Sequence, residues 1–226
     1  PLGQTTLFEG ISQLLPGHYL DFTLDNFSNR QVQRCYWEVE YERDFDNDEQ
    51  YFLERLEALF DESIDLHCRS DVPIGGYVSG GIDSSLVSIA ASEVSSDFIG
   101  FTGKFEEPPG YDESQYAALA SEKAGFELFQ CSMTPQDFLK IFPKVIYHLD
   151  YPIAGPGSFP QYMVSELASK HRKVVLGGQG GDEIFGGYTR YLVAYLEQAL
   201  KGAINGTGDE ANFILSYQSL SSSLQS

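Results

Sequence analysis

Positive charge is scarce in this chain: 14 Lys and Arg stand against 33 Asp and Glu, a formal net charge of −19 over 226 residues. Nucleic-acid phosphates are contacted through Lys and Arg, so this balance speaks against a nucleic-acid partner. Long apolar runs are missing too. No stretch approaches about 18 consecutive apolar residues, and no basic segment leads into an apolar one at the start, so neither a membrane span nor a secretory leader is expected. Cysteine is confined to Cys35, Cys68 and Cys131, an odd number with no C-x-x-C spacing. That pattern offers neither a disulfide framework nor a zinc site, and it suits a reducing cytoplasm. His18, His67, His148 and His171 show no paired spacing and are expected at the surface or the core edge. With no initiator Met, the chain is expected to be a soluble fragment.

What is present is ordinary globular material, 42% hydrophobic and 21% charged. One main core is therefore expected, with room for a small appendage. The acid surplus reads first as solubility. It also repels free polyphosphate, although salt limits that field to about 10 Å.

The chemistry is concentrated in two glycine-rich strings. Ile74 to Val78 reads as a buried strand and runs into Ser79-Gly80-Gly81-Ile82-Asp83-Ser84 before a helix-like segment up to Val94. Small residues there let backbone N–H groups converge, and the helix adds its positive end, so a pyrophosphate group is the natural guest and ATP the first ligand to consider. No Lys-Ser or Lys-Thr follows the glycines, and G-x-G-x-x-G spacing is absent, so the string is neither a Walker A loop nor a dinucleotide fingerprint. The second string, Gly177-Gly178-Gln179-Gly180-Gly181-Asp182-Glu183-Ile184-Phe185-Gly186-Gly187-Tyr188, follows the apolar Val174-Val175-Leu176. Its acidic pair suits Mg2+, which favours carboxylate and phosphate oxygens.

Alternating elements between and around these strings indicate an α/β fold with a parallel sheet. Helices are expected over 48–68, 84–94, 112–125, 135–148 and 158–171, and strands over 74–78, 98–105, 126–133 and 173–176. The helix over 48–68 carries Phe52, Leu56, Leu59, Phe60 and Ile64 at helical spacing and is expected to lay that face on the sheet. Gly125 reads as a helix C-cap, and Thr134-Pro135 as a helix start. Before these elements, alternation over His18–Leu24 and Val32–Val39 around Asp25–Asn29 reads as a short N-terminal β-hairpin. After Tyr195, the segment from Lys201 to Gly208 reads as a turn-rich break and Ser216–Ser226 as a Ser-rich tail. Both glycine strings follow strand ends, which is where open α/β sheets bind ligands.

The SGGIDSS string resembles the signature of PP-loop ATP pyrophosphatases, which belong to the adenine nucleotide alpha hydrolase-like, Rossmann-like domains. With the GGQGGDEIFGGY string in the same order, residues 70 to 195 resemble the synthetase domain of the glutamine-hydrolysing asparagine synthetases. Tyr111-Asp112-Glu113-Ser114 and Leu149-Asp150-Tyr151-Pro152-Ile153-Ala154-Gly155-Pro156 resemble further segments of that family. Phe8-Glu9-Gly10-Ile11 and Leu14-Leu15-Pro16-Gly17-His18-Tyr19-Leu20 resemble the end of its glutaminase domain, and Tyr36-Trp37 its linker. The resemblance implies three regions: a glutaminase-domain end and linker over 1–45, the ATP-binding domain over 46–200, and a tail or truncated helical region over 201–226.

The implied activity is a ligase reaction in which ATP adenylates the aspartate side chain, pyrophosphate leaves, and glutamine-derived ammonia from a glutaminase domain displaces AMP. The resemblance carries several roles onto this chain. The backbone of Ser79, Gly80, Gly81 and Ile82, with the Ser84 hydroxyl, is expected to hold pyrophosphate. Val78 and Gly103 are expected to read the base, and Gly177 and Gly178 to touch the ribose or α-phosphate side. Asp83 and Asp182 are the Mg2+ candidates, with Glu183 beside them as the third catalytic acid.

Gln179 departs from the family, where Glu or Asp is common, and an amide cannot take a proton from ammonium. Either Glu183 takes that role, or free ammonia needs no base, or the acceptor is not aspartate. Another carboxylate-adenylating amidotransferase or a β-lactam-type synthetase therefore stands beside the asparagine reading, and a non-catalytic nucleotide sensor or scaffold stands as the alternative of another class. The oligomeric state is open, a homodimer included.

Overall fold

The computed structural model describes residues 3–23, 30–40, 46–106, 112–150, 155 and 157–206. The chain divides into two compact units, one centred on an N-terminal hairpin and the other on a parallel sheet. The expected turn over 25–29, Tyr111, residues 151–154, Pro156 and the tail from 207 onward lie outside the described residues.

In the first unit, β1 (His18–Thr23) pairs antiparallel with β2 (Arg30–Cys35), so His18 faces Cys35 and Thr23 faces Arg30. The hairpin continues by backbone bonding, because Gly17 O accepts from the N–H of Tyr36 at 2.8 Å and of Trp37 at 3.2 Å.

The second unit is built on four parallel strands: β3 (Ile74–Tyr77), β4 (Ile99–Phe105), β5 (Glu127–Met133) and β6 (Val174–Leu176). Their order is β5-β4-β3-β6. From β3 the chain steps outward through α2 (Ile82–Val94) to β4 and through α3 (Ser114–Ala124) to β5. It then returns through α4 (Pro135–Leu149) and α5 (Ser158–Ala168) to place β6 on the other side of β3. That reversal places a crevice beyond the carboxyl ends of β3 and β6, the position at which open α/β sheets take ligands.

Side chains alternate across each strand, so the sheet buries apolar groups on both faces. One face gathers Ile74, Val78, Phe98 and Phe126 under Ala91 of α2 and Ala117 and Ala120 of α3. Phe101 and Met133 on the other face meet Phe159, Val164 and Ala168 of α5. Local punctuation agrees with this layout. Gly125 ends α3 in the left-handed region at φ 78°, and Thr134 starts α4 with a reciprocal cap in which its Oγ1 accepts the Asp137 N–H while its N–H donates to Asp137 Oδ2.

Two expectations need correction. The apolar stripe of α1 (Glu49–His67) does not all lie on the core: Ile64 is buried and Phe60 packs beside it, whereas Phe52, Leu56 and Leu59 are exposed. Spacing defines a face, but not what covers it. The expected break from Lys201 is also displaced, because α7 (Thr189–Asn205) runs through Gly202 and stops at Gly206, whose φ is 65°. One interior glycine weakens a helix by only about 1 kcal/mol, while a left-handed glycine ends it. Between β6 and α7, the short α6 (Gly181–Phe185) sits inside the second glycine string.

Candidate active site

The first glycine string is held by its own serines. Ser84 sits in the first turn of α2 and is buried, and its Oγ accepts the Ser79 N–H at 3.0 Å, lies 2.8 Å from Ser79 Oγ and donates to Gly81 O at 3.2 Å. Ser79 Oγ in turn accepts the Gly81 N–H at 3.2 Å. Gly80 adopts φ 95°, and a side chain there would collide with the Glu113 carbonyl, so glycine is required twice over at that position. The loop therefore has a fixed shape before any ligand arrives. The N–H groups opening α2 have no intrahelical carbonyl to bond and mark an anion-attracting end.

The second string closes onto the first. A Cβ on Gly178 would lie 2.5 Å from Ser84 N and 2.6 Å from the Asp83 carbonyl carbon, so the two backbones touch there. The Asp83 carboxylate abuts Gly181, and the Asp182 carboxylate abuts Gly187. Glu183 Oε1 accepts a 2.7 Å hydrogen bond from the Tyr188 hydroxyl, and the Arg190 guanidinium stacks 3.7 Å from the Tyr188 ring centroid. That hydrogen bond is the main reason the Glu183 carboxyl is held below the usual glutamate range, with backbone bonding and Arg190 adding to it. The same bond pushes the Tyr188 phenol above its ordinary value, so Glu183 is the ionised member of the pair.

Together the strings wall a cavity of about 1130 Å³ at the β3–β6 crevice, lined among others by Ser79, Asp83, Gly178, Gln179, Asp182 and Glu183. A second cavity of about 230 Å³ opens beside it against β4, with Val78, Phe101, Gly103, Met133 and Val164 as its apolar wall.

A family model described as asparagine synthase matches residues 55–225, three quarters of the chain. The chain belongs to the asparagine synthase family. It is 38% identical over 135 residues to asparagine synthetase [glutamine-hydrolyzing] 1 of Bacillus subtilis, covering 60% of this chain and 21% of that protein. A putative asparagine synthetase [glutamine-hydrolyzing] 2 of Methanocaldococcus jannaschii is 32% identical over 198 residues, covering 84% of this chain and 36% of that protein. The chain thus spans between about a fifth and about a third of the length of these curated relatives. Among solved structures, an NH3-dependent NAD synthetase from Campylobacter jejuni aligns with a TM-score of 0.41 at 13% identity, covering 78% of this chain and 95% of that one.

Within this family member, the residues singled out in the sequence, Gly80 excepted, line one cavity or the other. Ser79, Gly81, Ile82, Asp83, Ser84, Gly177, Gly178, Asp182 and Glu183 line the larger cavity. Val78 and Gly103 line the smaller one; Val78 is fully buried with its N–H donated to Phe101 O at 2.9 Å, and a side chain on Gly103 would run into Met133. Gly80 lines neither and serves the turn against Glu113. The Ser84 hydroxyl faces inward as the brace of its loop.

Sequence reading missed Tyr77, Thr102, Met133 and Gln161 as lining residues. Gln161 lies some eighty positions from the first string, and no local pattern could have pointed to it. Thr102 is buried and, among the described residues, its Oγ1 has no hydrogen-bond partner, an unmet polar group in the wall of the smaller cavity. No group of three or more His, Cys, Asp or Glu placed to hold a metal occurs among the described residues. Asp83 and Asp182 still suit Mg2+ bound together with phosphate, since that ion takes one or two carboxylates and completes its shell from phosphate and water. No helix among the described residues is long and apolar enough to cross a membrane.

Proposed function

We propose that this chain is the ATP-binding part of an AMP-forming ligase that amidates a carboxylic acid, with aspartate as acceptor and asparagine as product. The observation that carries the proposal is the convergence of both glycine strings, separated by nearly a hundred residues, on one cavity at the reversal point of the sheet. Residues 1–45, on this reading, are the end and linker of a glutaminase domain that supplies ammonia from glutamine.

ATP lies with its base in the smaller cavity, against the Val78 and Gly103 backbone, and its phosphates in the larger one. The α2 N-terminal N–H groups and the braced Ser79–Ile82 loop face the departing pyrophosphate, where negative charge accumulates. Gly177 and Gly178 border the ribose and α-phosphate side. Asp83 and Asp182 would hold Mg2+, which supplies charge neutralisation to the phosphates. The acceptor carboxylate attacks the α-phosphorus, pyrophosphate leaves, and ammonia displaces AMP from the acyl-adenylate. Glu183, kept ionised by Tyr188, is the group that can accept the proton released in that last step.

Gln179 favours a second reading. It lines the cavity as an amide, so an acceptor that needs hydrogen bonds there, such as another carboxylic acid, competes with aspartate. Exchange of labelled pyrophosphate into ATP separates the two: exchange that depends on aspartate supports the first reading, and exchange with other acids alone replaces it. Mg-ATP binding with no exchange for any acid would point instead to a nucleotide sensor.

A further inference from the structure

The two cavities share part of their lining. Tyr77, Ser79 and Gln161 line both of them. On the nucleotide reading above, with phosphates on one side and base on the other, the sugar must cross at this shared lining, so whatever polar side chain is available there meets its hydroxyls. Ser79 Oγ is already engaged with Ser84 Oγ at 2.8 Å and with the Gly81 N–H at 3.2 Å. The Tyr77 hydroxyl lies 2.9 Å from Ser165 Oγ, one turn along α5 from Gln161. Gln161 itself makes one long bond among the described residues, its Nε2 donating to Ser165 Oγ at 3.4 Å. A primary amide carries two N–H donors and a carbonyl acceptor, a set that matches a hydroxyl able to donate and accept at once.

We propose that Gln161 reads the ribose hydroxyls of the bound nucleotide, and that Ser165, anchored by Tyr77, is the positioning residue that aims its amide. Gln161 stands on the exposed side of α5 and lines the smaller cavity, whose wall is mainly apolar but also carries Ser79, Thr102 and Glu113. It also links β3 to α5 through the Tyr77–Ser165 pair, so the strand that leads into the phosphate loop and the helix that carries the sugar reader are fixed relative to each other. This inference rests on the nucleotide reading of the two cavities.

Calorimetric titration of the chain with ATP, 2′-deoxy-ATP and 3′-deoxy-ATP in the presence of Mg2+ tests it. One net hydrogen bond corresponds to about a fivefold preference for ATP over at least one deoxy analogue in the unaltered protein. Gln161→Leu should erase that preference, lowering ATP affinity to that of the analogue while leaving the analogue's own affinity in place. Ser165→Ala should narrow the ratio without removing it. Gln161→Ala serves as a second probe of the same point, and because the side chain is exposed both variants should keep the thermal midpoint of the parent. Equal binding of ATP and both analogues by the parent, or a preference retained in Gln161→Leu and Gln161→Ala, overturns the assignment while the nucleotide site stands. No ATP binding by the parent at all removes the nucleotide reading itself, and this inference with it.

Discussion

The two glycine-rich strings border the same cavity but are built in opposite ways. In the Ser79–Ser84 loop the side chains are spent on the loop itself: both serine hydroxyls and two backbone N–H groups bond within it, and its shape is set internally. The Gly177–Tyr188 string uses its glycines to bring its backbone against the start of α2 and the Asp83 carboxylate, and it leaves Gln179 and Glu183 exposed to the cavity. On the proposed function, the first is a preorganised cradle and the second a carrier of reactive groups. Preorganisation matters in the former because a loop that must order itself on binding loses affinity to that ordering.

The largest effect that this contrast predicts comes from the point where the strings touch. Gly178→Val places a branched side chain against Ser84 N and the Asp83 backbone, neither of which can yield as a flexible side chain would, so ATP binding should be lost and the thermal midpoint should fall. Normal affinity in a folded variant would show that the two strings do not form one site.

Asp83→Ala should leave the fold intact and reduce Mg-dependent ATP affinity by roughly thirtyfold, the scale of a lost charged contact. Calorimetry with and without Mg2+ measures it, and an unchanged Mg2+ dependence would remove Asp83 from the metal site. Gln179→Glu touches the reactive string alone. It should leave nucleotide affinity unchanged and raise the ammonia-dependent rate by about tenfold if a base is in short supply.

Ser84→Ala tests the cradle from within. It removes the acceptor of the Ser79 N–H and the donor to Gly81 O, and should lower stability by about 1 kcal/mol in urea titration while weakening ATP binding. Equal affinity would mean that the loop does not depend on its brace.

Tyr188→Phe should give the smallest change, visible only against pH. In the folded protein the Glu183 carboxyl is held low by the Tyr188 hydroxyl, so its charge persists as pH falls through the ordinary glutamate range and is lost only below it. Without the hydroxyl, the group protonates at higher pH, and the acid limb of the amidation rate should move upward. An acid limb that stays in place would show that Glu183 is not the proton acceptor.

Much of this was legible along the chain. Element order from Ile74 to Leu176 followed from apolar runs and glycine punctuation, with ends shifted by at most three residues, because hydrophobic period and capping chemistry are local. Gly125 was readable as a cap for the same reason. The long helix to Asn205 was not, since Gly202 looks like punctuation and only the later Gly206 takes the left-handed conformation that stops the helix.

The sequence by itself determined the α/β alternation, the two glycine strings with their acidic pair, and the family, since each rests on residue types at short spacing. Only the tertiary structure decided that β6 returns beside β3, that Gly178 lies against the start of α2, and that Tyr77 and Gln161 line both cavities. Those relations join residues eighty or more positions apart, and they are set by how helices on both faces of the sheet bury its apolar surface, a collective property that no local pattern encodes.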